Sequence, residues 1–478
     1  MTSRPFDGSL TISSLRRLYA AGAATPAAVL HAVYERIAAR GVDGVWIHLV
    51  AEEACRRQLA AAAAARRNGA VLPLFGIPFA VKDNIDVAGM PTTAACPAFG
   101  YVAAQSAPAV ARLLAAGAVC LGKTNLDQFA TGLNGTRSPY GVCPSVFDER
   151  YPAGGSSSGS AVAVGAGLVS FALGTDTGGS GRIPAGFNNI VGLKPTRGLI
   201  STRGVVPACR TLDCVSVFAL DCEDAGEVLA LIAGDDPADP FSRANPNTDD
   251  VPLPTGGPFR FGVPHGAAAG FFGDSAAEAL FAAAIARWEA LGGTPVPVDY
   301  APFVEAGSML YGGAWIAERF ASVGAFIATH PEAVLPTTAE IISRSQRFQA
   351  ADVFAQLYRL AEIRRTLAPL WRDIDFLVVP TSGTAYTIAA VLAEPVELNN
   401  RLGYFSYPVN LLDLSALALP NGFLPDGPAM GVTLLAPAFS EQRLLAFGRR
   451  WQAALGIAPG PAGWADRHRV RERESQTH

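Results

Sequence analysis

The sequence predicts an α/β fold, a central β-sheet covered by helices on both faces. Three observations carry this expectation. Stretches with apolar residues at helical spacing alternate with short apolar runs of strand length. Half of the 478 residues are hydrophobic and only 16% are charged, enough to fill a large core. Two clusters of glycine and serine, GGSSSGS and GTDTGGSGR, flank a small-residue apolar run, AVAVGAGLVSFALG, that is core-forming rather than a flexible linker.

Taken in order, residues 10–39 read as a helical hairpin broken at Thr25-Pro26, where the threonine caps a second helix that has proline at its first position. Residues 51–68, AEEACRRQLAAAAAARRN, form a helix of high intrinsic propensity that stops at Gly69. GIPFAVKD is a short buried strand, 107–117 a helix and AVCLG a strand, with another helix expected to begin near Thr124. Further helices are expected at 275–291, in a long broken run over 303–371, and at 440–455. DFLVVP (375–380) and GVTLLAP (431–437) read as strands, whereas 403–422 reads as loop and turn with apolar anchors. Residues 235–260, rich in Pro, Asp and Asn, are the most loop-like interior stretch and separate a core from an added layer. The charged tail from Trp464 reads as a solvated or fraying end.

Composition excludes several classes of function. A net charge of −4 carries no basic signature for nucleic acid or an acidic membrane surface. The first residues lack the apolar run of a secretory signal, and no stretch is long and apolar enough to span a bilayer. Seven cysteines without a C-x-x-C pair, and only six histidines, fit a reduced cytoplasmic protein without a structural zinc site.

The chemistry is concentrated in few residues. Of 37 Lys plus Arg, only Lys82, Lys123 and Lys194 are lysine, leaving 34 arginines. Lysines that survive such a bias should sit where arginine cannot substitute, because a desolvated lysine can lose its proton and act as a base. Lys82 ends an apolar strand, which delivers it either to a buried site or into a structural ion pair with Asp83 or Asp86. Gly117 to Thr124 satisfies the P-loop expression, but its variable positions form an apolar strand rather than a phosphate-wrapping loop. Lys123 therefore reads as structural, beside Asp127. Glycines let backbone N–H groups turn toward a ligand, so a serine among them is a candidate nucleophile beside its own oxyanion hole. None of the six histidines is near either cluster in sequence.

Two serine clusters and an isolated lysine resemble the amidase signature family. The resemblance runs from PLFGIPFAVKDNIDVAGMPTT through LGKTNLDQFATG, GGSSSGS and GTDTGGSGRIPAGFNNIVGLKPTRG to NLLDLSALALP. It implies the amidase signature fold with a mixed central sheet, and a Ser-cisSer-Lys triad. In that triad Ser180 is the nucleophile, Ser156, on a cis peptide, the proton relay, and Lys82 the base. Lys82 would then need a pKa about three units below its usual value of about 10.4, most readily through burial. The N–H groups of Thr177, Gly178, Gly179 and Ser180 would form the oxyanion hole. Ser157, Ser158 and Ser160 would support the site by hydrogen bonds, and Asp176 and Arg182 would brace the loop, with contact to a substrate the alternative for Arg182.

Within the family, NLDQFATGLNGTRSPYG and GRIPAGFNNIVGLKPTRGLISTRGVVPACRTLDCVSVFAL look like the allophanate hydrolases. That likeness implies hydrolysis of allophanate to ammonia and N-carboxycarbamate, with Tyr311 and Arg319 gripping the substrate carboxylate. The alternatives are an amidase acting on another small amide, a subunit of an amidotransferase, and a noncatalytic member of the fold used as a scaffold, against which the complete Lys82, Ser156 and Ser180 set argues; for Arg319, an ordinary surface pair with Glu318 or another acid. Tyr311 and Arg319 span about 12 Å of ideal helix, so their meeting calls for long side chains and an irregularity at Gly312-Gly313. LNGTR and CPSVF look like local variations that retune the pocket. The resemblance further implies no metal or organic cofactor, and a homodimer built through an N-terminal helical segment (1–70) that precedes the catalytic unit (71–457) and a charged tail (458–478). The extra C-terminal domain of many allophanate hydrolases is expected to be absent, since the chain ends soon after the amidase unit.

Overall fold

Runs such as FAV, FAL and VSVF bury side chains on both faces, so they pair as interior strands of a sheet rather than as half-exposed ones. In the computed structural model, which describes residues 6, 8–246, 256–266, 268–458 and 460, eleven strands form one sheet. They are β1 (Trp46–Leu49), β2 (Pro78–Lys82), β3 (Val119–Thr124), β4 (Phe171–Asp176), β5 (Val191–Lys194), β6 (Cys214–Ala219), β7 (Phe259–His265), β8 (Gly293–Asp299), β9 (Phe376–Pro380), β10 (Leu414–Phe423) and β11 (Ala429–Pro437). Their spatial order is β1-β3-β2-β4-β6-β5-β10-β11-β9-β7-β8. Strands β3, β2 and β4 run parallel, as do β9, β7 and β8, while the strands between β4 and β9 pair antiparallel. The sheet is therefore mixed.

Helices cover both faces. Leu417 and Leu419 of β10 point at the helix Glu441–Leu455, which Gly448 lets approach closely. On the opposite face Gly431, paired with Pro420, lies against Gly186 of the helix Ile183–Phe187. The N-terminal hairpin forms as Ile12–Ala20 and Pro26–Arg40, with Thr25 Oγ1 accepting from Ala28 N at 3.2 Å. Its Ile12, Leu15, Val29 and Val33 belong to the same hydrophobic core as the sheet. Helices also form at Glu52–Arg67, Ser275–Ala290 and Glu441–Leu455, and in pieces between Ala301 and Asp373.

Two expectations fail. Residues 403–422 are not all loop: a turn of helix at Pro408–Leu411 leads into β10, a ten-residue strand at the sheet centre. In LSALALPNGF small residues alternate with leucines because a helix sits close on one face and the leucines fill the other. The punctuating Pro420 and Gly422 mark a break in register rather than a turn. No helix begins near Thr124. The chain instead makes one 3-10 turn at Gln128–Ala130, with Phe129 and Ala130 both at φ 52°, because Asp127 draws in the N–H groups of Gly135 and Arg137 and curls the loop. The P-loop look-alike is strand β3, as expected. Residues 235–246 are turns and coil, and 247–255 and the tail from 461 lie outside the described residues. No described helix is long and apolar enough to cross a membrane.

Candidate active site

All three lysines are fully buried, for different reasons. Lys123 pairs with Asp83 at 3.0 Å, not with Asp127, whose carboxylate is turned to the loop N–H groups above. Lys194 donates to Pro195 O at 2.7 Å. Lys82, at the end of β2, makes no ion pair among the described residues: Lys123 takes Asp83, and Asp86 accepts from Tyr101. Its Nζ lies 2.7 Å from Ser156 Oγ and 2.8 Å from Thr175 Oγ1. Burial lowers its pKa from 10.5 to about 7, against the opposing pull of Asp127, Asp213 and Asp176, and with Arg319 adding to the effect. Its neutral form is therefore well populated near neutral pH, where an ordinary lysine is protonated.

The first glycine-serine cluster presents Ser156 to it. The Gly155–Ser156 peptide is cis, and a Cβ at Gly155 would collide with the Asp127 carboxylate, so only glycine fits there. Ser156 O accepts from Asp127 N at 3.1 Å. The neighbouring hydroxyls are spent on backbone: Ser157 donates to Thr175 O (3.1 Å), Ser158 to Asn125 O (3.5 Å) and Ser160 to Leu173 O (2.9 Å). Ser156 Oγ alone of these faces the lysine.

The second cluster is the loop after β4. Asp176 organises it, with Oδ1 accepting from Gly179 N and Oδ2 from Gly181 N, both at 2.9 Å. Arg182 closes a bidentate pair on the same carboxylate, with Nε and Nη2 each at 2.9 Å. Burial opposes ionisation of Asp176, but Arg182 outweighs it and holds the pKa below the usual carboxylate value. Asp213 anchors the loop start through Thr177 Oγ1 at 2.5 Å, and burial pushes that carboxyl up to about 6. Gly179 has φ +137° and faces the Ser406 side chain, which leaves no room for a Cβ. The loop carries Ser180, almost buried, whose hydroxyl has no protein partner among the described residues. Of the four N–H groups expected to form an oxyanion hole, that of Gly179 is engaged by Asp176. Those of Thr177, Gly178 and Ser180 have no protein acceptor among the described residues.

Tyr311 and Arg319 do converge. The chain turns through Gly312-Gly313 before the helix Ile316–Thr329 begins, and Arg319 Nη2 donates to Tyr311 OH at 2.9 Å. Arg319 is 2% exposed and does not pair with Glu318, which instead accepts from Thr211. Its Nη1 donates to Thr131 Oγ1 (3.1 Å) and Ala130 O (3.3 Å). The Tyr311 ring packs on Tyr407, centroids 5.2 Å apart, and Tyr407 in turn lies over Gly178. The guanidinium end and the Ser180 loop thus share one wall. Sequence reasoning missed Tyr407, Thr131 and Asp213, none of which stands in a pattern that marks it.

A hydroxyl and N–H groups around a glycine turn that have no partner among the described residues, with a second hydroxyl touching a lysine of lowered pKa, make an arrangement able to attack a carbonyl and hold the resulting oxyanion. The profile of the amidase family, described as Amidase, matches residues 28–445. The chain belongs to the amidase family. Among its relatives in the family is the urea amidolyase of Lachancea kluyveri, 45% identical over 412 residues, 86% of this chain and 22% of that protein. Another, from Symbiobacterium thermophilum, is a subunit of glutamyl-tRNA(Gln) amidotransferase, 36% identical over 476 residues, 93% of this chain and 96% of the relative. Among solved structures, the allophanate hydrolase of Kluyveromyces lactis superposes with a TM-score of 0.87 at 40% identity, covering 96% of this chain and 75% of that one. The chain spans about a fifth of the length of the urea amidolyases it matches.

Proposed function

We propose that this amidase-family chain hydrolyses allophanate, releasing ammonia and N-carboxycarbamate. Ser180 Oγ attacks the terminal amide carbon while its proton passes through Ser156 Oγ to the neutral Nζ of Lys82. The N–H groups of Thr177, Gly178 and Ser180 hold the oxyanion. Its collapse breaks the C–N bond, and the proton returns from Lys82 through Ser156 to the departing nitrogen, so that ammonia leaves. Water then attacks the acyl-Ser180 ester while Lys82 takes its proton through Ser156; the acyl C–O bond breaks, N-carboxycarbamate leaves, and the proton returns from Lys82 through Ser156 to Ser180 Oγ.

The observation that carries the choice of substrate is Arg319, a buried guanidinium bound to Tyr311 and Thr131 but to no carboxylate among the described residues. A neutral amide gives it nothing to neutralise, whereas the carboxylate of allophanate does. The likeness to both an allophanate hydrolase and urea amidolyases supports the same reading. A neutral-amide hydrolase or a component of an amidotransferase is the second reading, favoured by the likeness to the glutamyl-tRNA(Gln) amidotransferase relative over nearly its whole length. We also infer a cytoplasmic homodimer formed through the first 70 residues; light scattering that returns a monomer mass overturns the dimer.

Ammonia release from allophanate and from a simple aliphatic amide, by the wild type and by Arg319→Ala, tests the substrate. Turnover of allophanate that falls at least 100-fold in the variant supports the assignment. Activity on the neutral amide alone leaves the serine and lysine chemistry standing and overturns the substrate. Ser180→Ala should lose both activities and labelling by a serine-directed phosphonate; a variant that keeps either removes Ser180 as nucleophile.

A further inference from the structure

The loop 126–137 that replaces the expected helix carries a further buried arginine, Arg137, in the LNGTR segment. It is 4% exposed and makes no ion pair among the described residues. Its Nη1 donates to Thr131 O at 2.8 Å and its Nη2 to Pro395 O, while its Nε is buried without a partner. Arg319 Nε is likewise buried and unpartnered.

The two guanidiniums meet on one residue. Arg137 holds the carbonyl of Thr131 and Arg319 holds its hydroxyl. Two buried cations on a shared anchor repel one another, and each lacks a carboxylate in contact; Asp127 is bonded to the Arg137 backbone N–H, not to its guanidinium. The field of both arginines reaches Tyr311 and Tyr407, where it opposes the effect of burial on the phenols. Asp127 and Asp213 offset these charges only without contact, so an anion entering beside the two guanidiniums completes their compensation.

We propose that Arg137 is a specificity-determining positioning residue. Acting through Thr131, it fixes the fork of Arg319, and its charge makes the far end of the site selective for substrates that end in a carboxylate. This inference rests on the proposed function for the identity of the substrate but extends to any small amide acid.

The test measures charge selectivity by binding, so that it survives failure of the allophanate assignment. Malonamate and neutral malonamide, of matched size, are titrated into Ser180→Ala and into the same protein carrying Arg137→Gln, Arg137→Lys or Thr131→Val. The expected result is a ratio of affinities, malonamate over malonamide, that falls at least tenfold in Arg137→Gln and Thr131→Val, and at most threefold in Arg137→Lys. Equal weakening of both ligands by Arg137→Gln, as a merely structural role would give, overturns the proposal. So does a lysine variant as poor as the glutamine one. If the Arg137 variants do not fold, Thr131→Val decides: it keeps the carbonyl that Arg137 holds and removes the hydroxyl that Arg319 holds, and an unchanged ratio refutes the linkage. Allophanate turnover by the wild type, measured separately, bears only on the proposed function.

Discussion

Lys82→Met isolates the effect on which the proposed mechanism depends. Methionine fills a similar space without a titratable group, so the variant loses the base and the desolvation cost together. Burial holds Lys82 at about 7, against 10.5 for the ordinary side chain. Between those values the unfolded chain binds a proton that the folded chain has released, so the wild type gains stability as pH rises through that window. The cost of keeping this lysine inside is about 4 kcal/mol at pH 7 and about 2 kcal/mol at pH 9. Methionine removes it and forfeits the contacts with Ser156 and Thr175, about 1 kcal/mol each. The variant should therefore be inactive yet more stable than the wild type by about 2 kcal/mol at pH 7, with the gap closing near pH 9. Urea unfolding followed by tryptophan fluorescence at the two pH values measures it. A stability difference that stays constant across this range would refute a depressed lysine pKa and with it the base. The same ionisation should appear in the wild-type kinetics, where kcat/KM rises with pH through about 7 as Lys82 loses its proton.

Two substitutions probe the loop that carries Ser180. Asp176→Asn breaks the buried bidentate pair with Arg182 and should cost about 3–5 kcal/mol, read as a lower urea midpoint, because it strands a guanidinium in the interior. An unchanged midpoint would mean that Asp176 does not organise the loop. Gly179→Ala places a Cβ at φ +137° against Ser406 and should cost about 1–3 kcal/mol, with a fall in kcat of about 100-fold as the N–H groups of its neighbours move. Turnover within threefold of wild type would show that this glycine is not needed for the turn.

The two glycine-serine clusters and Lys82 stood out by local signals, whereas the choice of Ser156 and Ser180 among their serines came from the family resemblance. Glycine-serine clusters mark backbone that must turn tightly, and a chain with 34 arginines keeps lysine only where its chemistry or size is needed. All three lysines are indeed buried, although only Lys82 meets a serine. The P-loop expression at 117–124 could be dismissed for an equally local reason, since four apolar residues make a strand. The meeting of Tyr311 with Arg319 was anticipated only conditionally. The Gly312-Gly313 break was visible, but the direction in which the chain left it was not.

What lay out of reach depends on partners distant in sequence. Whether Lys123 pairs with Asp83 or Asp127 is settled by which neighbouring strand end faces it, and a charge in a loop does not announce its partner. The helix expected after Thr124 lost to the Asp127 carboxylate, which offers the backbone stronger partners than an i→i−4 ladder and curls the loop around Arg137. LSALALPNGF became an interior strand of the sheet because the helices Glu441–Leu455 and Ile183–Phe187 cover its two faces, so tertiary burial overrode its turn-forming residues. The sequence by itself determined which residue types carry the chemistry and that the backbone must bend beside them, since these follow from local sterics and composition. Only the tertiary structure decided which charges are paired and which, at Arg137 and Arg319, have no carboxylate in contact among the described residues, because pairing is a property of space and not of order along the chain.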